Sequence, residues 1–98
     1  MAPNKALTVT TRQRAALRAR AHGLEPVVQI GEKGITDGIA AEVDRSLAAH
    51  ELIKVKLPGA DREERAALAA TLAERTESAV VQEVGRILVL WRPRPEED

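Results

Sequence analysis

Apolar positions along the chain recur at two periods that take turns. Leu17, Ala21 and Leu24 are spaced four and three apart, one stripe of a helix. Thr10 and Gln13 stand where a capping box would open that helix, and Gly23 would stop it just after His22. Pro26 then introduces Val27-Val28-Gln29-Ile30, a run rich in β-branched residues closed by Gly31, which suits a strand. Ile39, Val43, Leu47 and His50 return to helical spacing and predict a second helix from Thr36 to about His50. Thr36 serves as its N-cap and Asp37 sets a negative charge at the positive end of the dipole. Glu51 to Leu57 alternates, with Ile53, Val55 and Leu57 on one face and Lys54 and Lys56 on the other. Pro58-Gly59 turns the chain. Asp61 and Glu64 predict the capped start of a third helix, whose buried side is Leu68, Ala69, Leu72 and Ala73. It ends between Arg75 and Ser78 without the usual glycine. Ala79–Val84 and Ile87–Arg92 are strands joined by Gly85-Arg86, with glycine first as a type II′ turn requires.

The order α-β-α-β-α-β-β predicts an α/β fold with a mixed four-stranded sheet. Strands linked through helices should run parallel, and the last two form an antiparallel hairpin. Ninety-eight residues allow one domain with a modest core, burying roughly 60–70% of the unfolded chain's surface. Residues 1–6 are expected to be a flexible leader, 7–93 the domain and 94–98 an acidic tail.

Between the first strand and the second helix lies Gly31-Glu32-Lys33-Gly34. Glycines at both ends leave no Cβ between the loop amides and an incoming group. Loop N–H groups and the helix N-terminus could then donate to phosphate oxygens, with Lys33 adding a cation. This arrangement is a nucleic-acid backbone clamp of the kind KH modules make. A plain tight connection would leave the same trace in the sequence. Lys54 and Lys56 read either as an extension of such a cationic track or as the solvated side of a strand. Arg14, Arg18 and His22 form a row at helical spacing, where an anionic partner would relieve like-charge repulsion and carboxylates elsewhere would do so equally. Arg86 in the hairpin turn could also reach phosphate.

Composition narrows the chemistry. One Trp with no Phe or Tyr leaves little platform for base stacking, which contributes roughly 1–3 kcal/mol per base where it is used. Trp91 is expected to pack in the core or at the sheet edge. RNA binding would therefore rest on backbone contacts. Fifteen basic and fifteen acidic residues cancel, so total charge favours no partner. The distribution is uneven, since residues 1–20 hold Lys5, Arg12, Arg14, Arg18 and Arg20 with no acid. The chain contains no cysteine, which excludes disulfides, thiolate metal sites and cysteine nucleophiles. His22 and His50 belong to no metal-ligand spacing, Ser46 and Ser78 to no nucleophile motif, and Lys33 to no Walker A ending. No catalytic residue, metal site, cofactor or small-molecule substrate is expected. Neither a signal peptide pattern nor a membrane-length apolar run is present, so a cytoplasmic location is the expectation.

Taken together, LTVTTRQRAALRARAHGLEPVVQIGEKGIT, HELIKVKL and VGRILVLWRP resemble the chloroplast RNA splicing and ribosome maturation (CRM) domain, the YhbY-like family. The resemblance spans Leu7 to Pro93. It implies a fold similar to the C-terminal domain of translation initiation factor three. It also implies an RNA-binding protein, expected to act as a monomer on ribosomal RNA in large-subunit precursors, as single-domain bacterial members do. The implied contact residues are Gly31, Glu32, Lys33, Gly34 and Thr36, with Lys54, Lys56, Arg14, Arg18 and Arg86 around them. This chain departs from the family at Glu32, where a basic or neutral residue is common; at Glu77, where glycine is expected; and at Trp91, where tyrosine is usual. The alternative function is a protein-interaction module, which zero net charge and an open sheet edge would also serve.

Overall fold

The computed structural model describes residues 9–94; the leader at 1–6 and residues 95–98 of the acidic tail lie outside the described residues. The elements are α1 (Thr11–Ala21), β1 (Pro26–Gln29), α2 (Asp37–His50), β2 (Leu52–Lys56), α3 (Arg62–Thr76), β3 (Ala79–Val84) and β4 (Ile87–Trp91). Both predicted capping boxes form. Thr10 Oγ1 accepts from the Gln13 N–H and Gln13 Oε1 accepts from the Thr10 N–H, each at 3.0 Å. Asp61 and Glu64 reciprocate in the same way at α3. Thr36 caps α2 by accepting from the Ile39 N–H at 3.1 Å. Among the described residues no helix is long and apolar enough to cross a membrane.

The sheet is mixed, in the order β1-β2-β4-β3. β1 and β2 are parallel, joined through α2, while β4 runs antiparallel to both β2 and β3. β2 and β3 therefore share a direction, as a helix-linked pair should, but β4 has entered between them. Gly85 adopts φ +58°, and Arg86 is not among the positive-φ residues, the pattern expected of a glycine-first hairpin turn.

Each face of the sheet has its own apolar cluster. On one, α2 and α3 bury Val43, Leu47, Ala69, Leu72 and Ala73 against Val28, Ile30, Ile53, Val55, Leu57, Leu88 and Leu90. On the other, α1 packs Leu17 and Ala21 against Leu52, Val81 and Val89, with Trp91 half-buried beside them. Three positions of the predicted stripes differ. Leu24 is exposed because α1 ends at Ala21, before the helical period can carry Leu24 inward. His50 is exposed in the last turn of α2, and Leu68 is only half-buried on the flank of α3.

α3 ends on Glu77, whose φ of 55° and ψ of 45° place it in the left-handed region. The Ser78 N–H donates to Ala73 O at 2.9 Å and the Glu77 N–H to Glu74 O at 3.3 Å, closing the helix as a Schellman motif does. The glycine-type geometry is present without the glycine. Buried below it, Thr76 Oγ1 donates to Leu72 O at 2.8 Å and lies 2.9 Å from Ser78 Oγ, so neither hydroxyl is unpaired. Arg92, just past β4, fastens this corner. Its Nη1 donates to Asp44 Oδ1 at 2.7 Å and to Thr76 O at 2.8 Å, and its Nη2 to Asp44 O at 3.1 Å. One guanidinium thus ties α2, α3 and β4 together.

Arg92→Ala should lower unfolding free energy by about 1.5–3 kcal/mol, the range for hydrogen bonds to a charged group, as read from urea denaturation. In the same assay Glu77→Gly should raise it by about 0.5–1 kcal/mol. Relief of the left-handed strain there outweighs the added freedom of the unfolded chain.

Candidate functional site

β1 and β2 are parallel, so their carboxyl ends lie at the same edge of the molecule, the edge where open α/β sheets take ligands. The connection from β1 into α2 leaves from that edge. Its first part is a turn closed by the Gly34 N–H donating to Gly31 O at 3.0 Å, followed by the Thr36 N–H donating to Gly34 O at 3.1 Å. Gly31, Glu32 and Lys33 are exposed and Gly34 is half-buried. Among the described residues, the N–H groups of Glu32, Lys33, Asp37 and Gly38 have no recorded internal acceptor. They comprise two loop amides and the first two amides of α2, all at the positive end of the α2 dipole.

The two glycines differ in what the fold asks of them. Gly34 has φ +76°, a conformation that strains an L side chain. Gly31 has no such φ, and a Cβ built on it would meet nothing within 4 Å. Neither backbone geometry nor internal packing calls for glycine at 31.

Three strand ends meet beside this loop. The Ile30 N–H donates to Lys56 O at 2.8 Å, so Lys56 is the β2 residue nearest the loop. The Leu57 N–H donates to Arg86 O at 2.7 Å and Arg86 Nε returns a bond to Leu57 O at 3.0 Å, which sets the hairpin turn on the far side of β2. In register, Gln29, Lys56, Ile87 and Val84 form one row across all four strands. That row and Lys54 lie on the α1 face, because Val55 and Leu57 point to α2 and α3. α1 covers only the other half of this face. Lys54 and Lys56 are half-buried at the open half, and Val84 is exposed.

Arg14 and Arg18 separate. Arg14 Nη1 donates to Val80 O at 2.8 Å and to Val81 O at 2.7 Å, where the β3 register shifts between Val80 and Gln82. Two consecutive carbonyls at a bulge in an edge strand need donors, and Arg14 supplies them. The predicted like-charge row is thus relieved on that side by backbone oxygens and not by carboxylates. Arg18 stays exposed.

Arg75 joins the site from outside the predicted set. From the last turn of α3 its Nη2 pairs with Asp37 Oδ1 at 3.0 Å, and its Nη1 donates to Ile35 O at 3.4 Å. It pairs with the acid in the first turn of α2 and links α3 to the loop at Ile35 through exposed contacts. In the sequence Arg75 marked only the region where the third helix ends; nothing local points 38 residues back to Asp37.

The family description of the CRS1/YhbY (CRM) domain matches residues 9–92. A Haemophilus influenzae protein named RNA-binding protein is 46% identical over 89 residues, covering 91% of this chain and 90% of its own. A Pseudomonas aeruginosa protein named a probable RNA-binding protein is 38% identical over 89 residues, covering 91% and 86%. The solution structure of a hypothetical Staphylococcus aureus protein, for which RNA binding has been suggested, superposes with a TM-score of 0.81 at 35% identity over 93% of this chain and 95% of that one. With a family match over nearly the whole sequence and relatives 46% and 38% identical over 91% of it, this chain belongs to the CRS1/YhbY (CRM) domain family.

Proposed function

We propose that this protein binds RNA through the Gly31–Gly34 turn, and that its target is ribosomal RNA in precursors of the large ribosomal subunit. The observation that carries the first part is the exposed turn at the carboxyl ends of β1 and β2, whose loop and helix amides at Glu32, Lys33, Asp37 and Gly38 belong to exposed residues and find no internal acceptor. An RNA phosphate is the group such amides suit. Relatives named as RNA-binding proteins support the same reading. The assembly role follows from the family resemblance.

In this reading the amides of the turn and of the α2 N-terminus hold one or two phosphates, and Lys33 at the tip adds its charge. Thr36 fixes the direction of α2 by capping it. Lys56, Lys54 and Arg86 extend the contact over the open half of the sheet, and Arg18 continues it on α1. Arg14 contributes through the carbonyls it secures at the β3 edge. Glu32 weakens the grip by repelling phosphate at short range. Binding without chemistry is sufficient for this role, so the protein is read as a non-catalytic monomer of the cytoplasm.

RNA affinity should fall with salt by about 0.7 log units per log unit for each phosphate neutralised on a single strand. Gly31→Asp with Gly34→Asp should weaken binding by an order of magnitude or more while the circular dichroism spectrum stays unchanged; parental affinity in that variant would refute the loop assignment. Gly31→Ala should alter stability by less than about 0.5 kcal/mol yet still reduce RNA affinity. Gly34→Ala should cost about 1–2 kcal/mol of stability through its left-handed φ. Cross-linking the protein in cell extract and sequencing the attached RNA should return large-subunit ribosomal RNA; any other dominant RNA would overturn the assigned target.

A further inference from the structure

On the α3 side of the loop lies a groove of about 870 Å³. Its floor and walls are mainly apolar, with Ile35, Pro58, Ala67 and Leu68 the larger contributors. The polar rim carries Glu32 from the loop and Glu64 from the first turn of α3, and no lysine or arginine lines it. Glu64 is not free to swing away, since its Oε1 accepts from the Asp61 N–H at 3.2 Å. The connection that forms one wall is steadied by Arg65 Nη1 donating to Ala60 O. Among the described residues, neither Glu32 nor Glu64 takes part in an ion pair, whereas neighbouring Asp37 has Arg75.

An apolar trough with two carboxylates and no cation on its rim, one of them partly offset by its capping bond, suits a cation with an aliphatic neighbour better than a polyanion. We infer that this groove docks a short basic segment of a protein partner, in which lysine or arginine alternates with leucine or valine. The part of α3 from Glu64 to Thr71 that borders the groove is about 10 Å long, which an extended segment of about three residues spans. The aliphatic side chain would rest on Ile35 and Leu68 while flanking cations meet Glu32 and Glu64. Lys54 and Lys56 stand on the opposite face of the sheet, so a peptide here would not occlude them. The groove shares Gly31, Glu32 and Gly34 with the proposed RNA turn, so peptide and RNA phosphate would compete at that end, while the α3 wall at Ala67, Leu68 and Thr71 belongs to the groove alone.

The test is titration of the ¹⁵N-labelled full chain with a short acetylated, amidated peptide of alternating lysine and leucine, followed by amide chemical shifts. Saturable shifts should centre on Ile35, Ala67, Leu68 and Thr71. Glu32→Gln combined with Glu64→Gln should weaken binding about five- to tenfold through loss of two surface charge pairs. The fold should survive, because glutamine at 64 still completes the capping box. A peptide with glutamate in place of lysine should not bind. Shifts centred elsewhere, no saturable binding, or equal affinity in the double variant would each overturn the inference. An oligouridine should compete through the shared turn while shifting the amides of Glu32, Lys33 and Gly38; oligouridine shifts centred on Ala67, Leu68 and Thr71 would also overturn the inference, since the α3 wall would then belong to RNA.

Discussion

A sheet has two faces, and the helices of this chain cover one fully and the other by half. Burial of apolar surface drives the arrangement: α2 and α3 together close the face that holds Ile53, Val55, Leu88 and Leu90. α1 alone must serve the other. It runs from Arg14 at the β3 edge to Ala21 near Leu52 on β2, crossing strands whose five or so residues extend about 17 Å. A helix is about 10 Å across, so it shelters the end where Leu52, Val81 and Trp91 lie and leaves the loop end bare. The uncovered strip is where Lys54 and Lys56 replace aliphatic residues. Incomplete cover leaves a mixed strip, in which Lys54, Lys56 and Gln29 stand beside Ile87 and exposed Val84.

The zero net charge hides a division by face. α1 carries Arg12, Arg14, Arg18 and Arg20 and no acid, and the two lysines of β2 stand on its side of the sheet. α2 carries Asp37, Glu42 and Asp44 against Arg45, and α3 with its two caps carries Asp61, Glu63, Glu64, Glu74 and Glu77 against Arg62, Arg65 and Arg75. Cations thus gather on one side and carboxylates on the other, and fields of opposite sign over separate surfaces can recruit different partners. Arg75 and Arg92 sit on the acidic side, but both are spent in pairing with Asp37 and Asp44.

Most of the architecture was legible because it depends on local sequence. Capping at Thr10, Thr36 and Asp61, alternation along Ile53, Val55 and Leu57, and the Gly85-Arg86 turn all act within a few residues. Periodicity states which face a residue occupies, and Leu47 and Leu72 obeyed it. It fails at helix ends, where Leu24 and His50 fall outside the last productive turn. It is silent on which guanidinium reaches which oxygen: Arg14 to Val80, Arg75 to Asp37 and Arg92 to Asp44 each join residues far apart in the chain. The loop itself was visible as two glycines, but only its geometry separates Gly34, which the backbone needs, from Gly31, which it does not.

The position of β4 has a consequence for how the molecule comes into being. Of the four strands it is the last in sequence, yet it occupies an interior place and supplies partners to β2 and β3 alike. A nascent chain that has emerged only as far as β3 holds a lone parallel pair and an orphaned strand, with both apolar clusters missing a wall. Ribosomal synthesis proceeds at roughly 5–20 residues per second, so those unfinished surfaces stay open until β4 has left the exit tunnel. Emergence of β4, rather than growth of the first half, supplies the wall that both clusters lack.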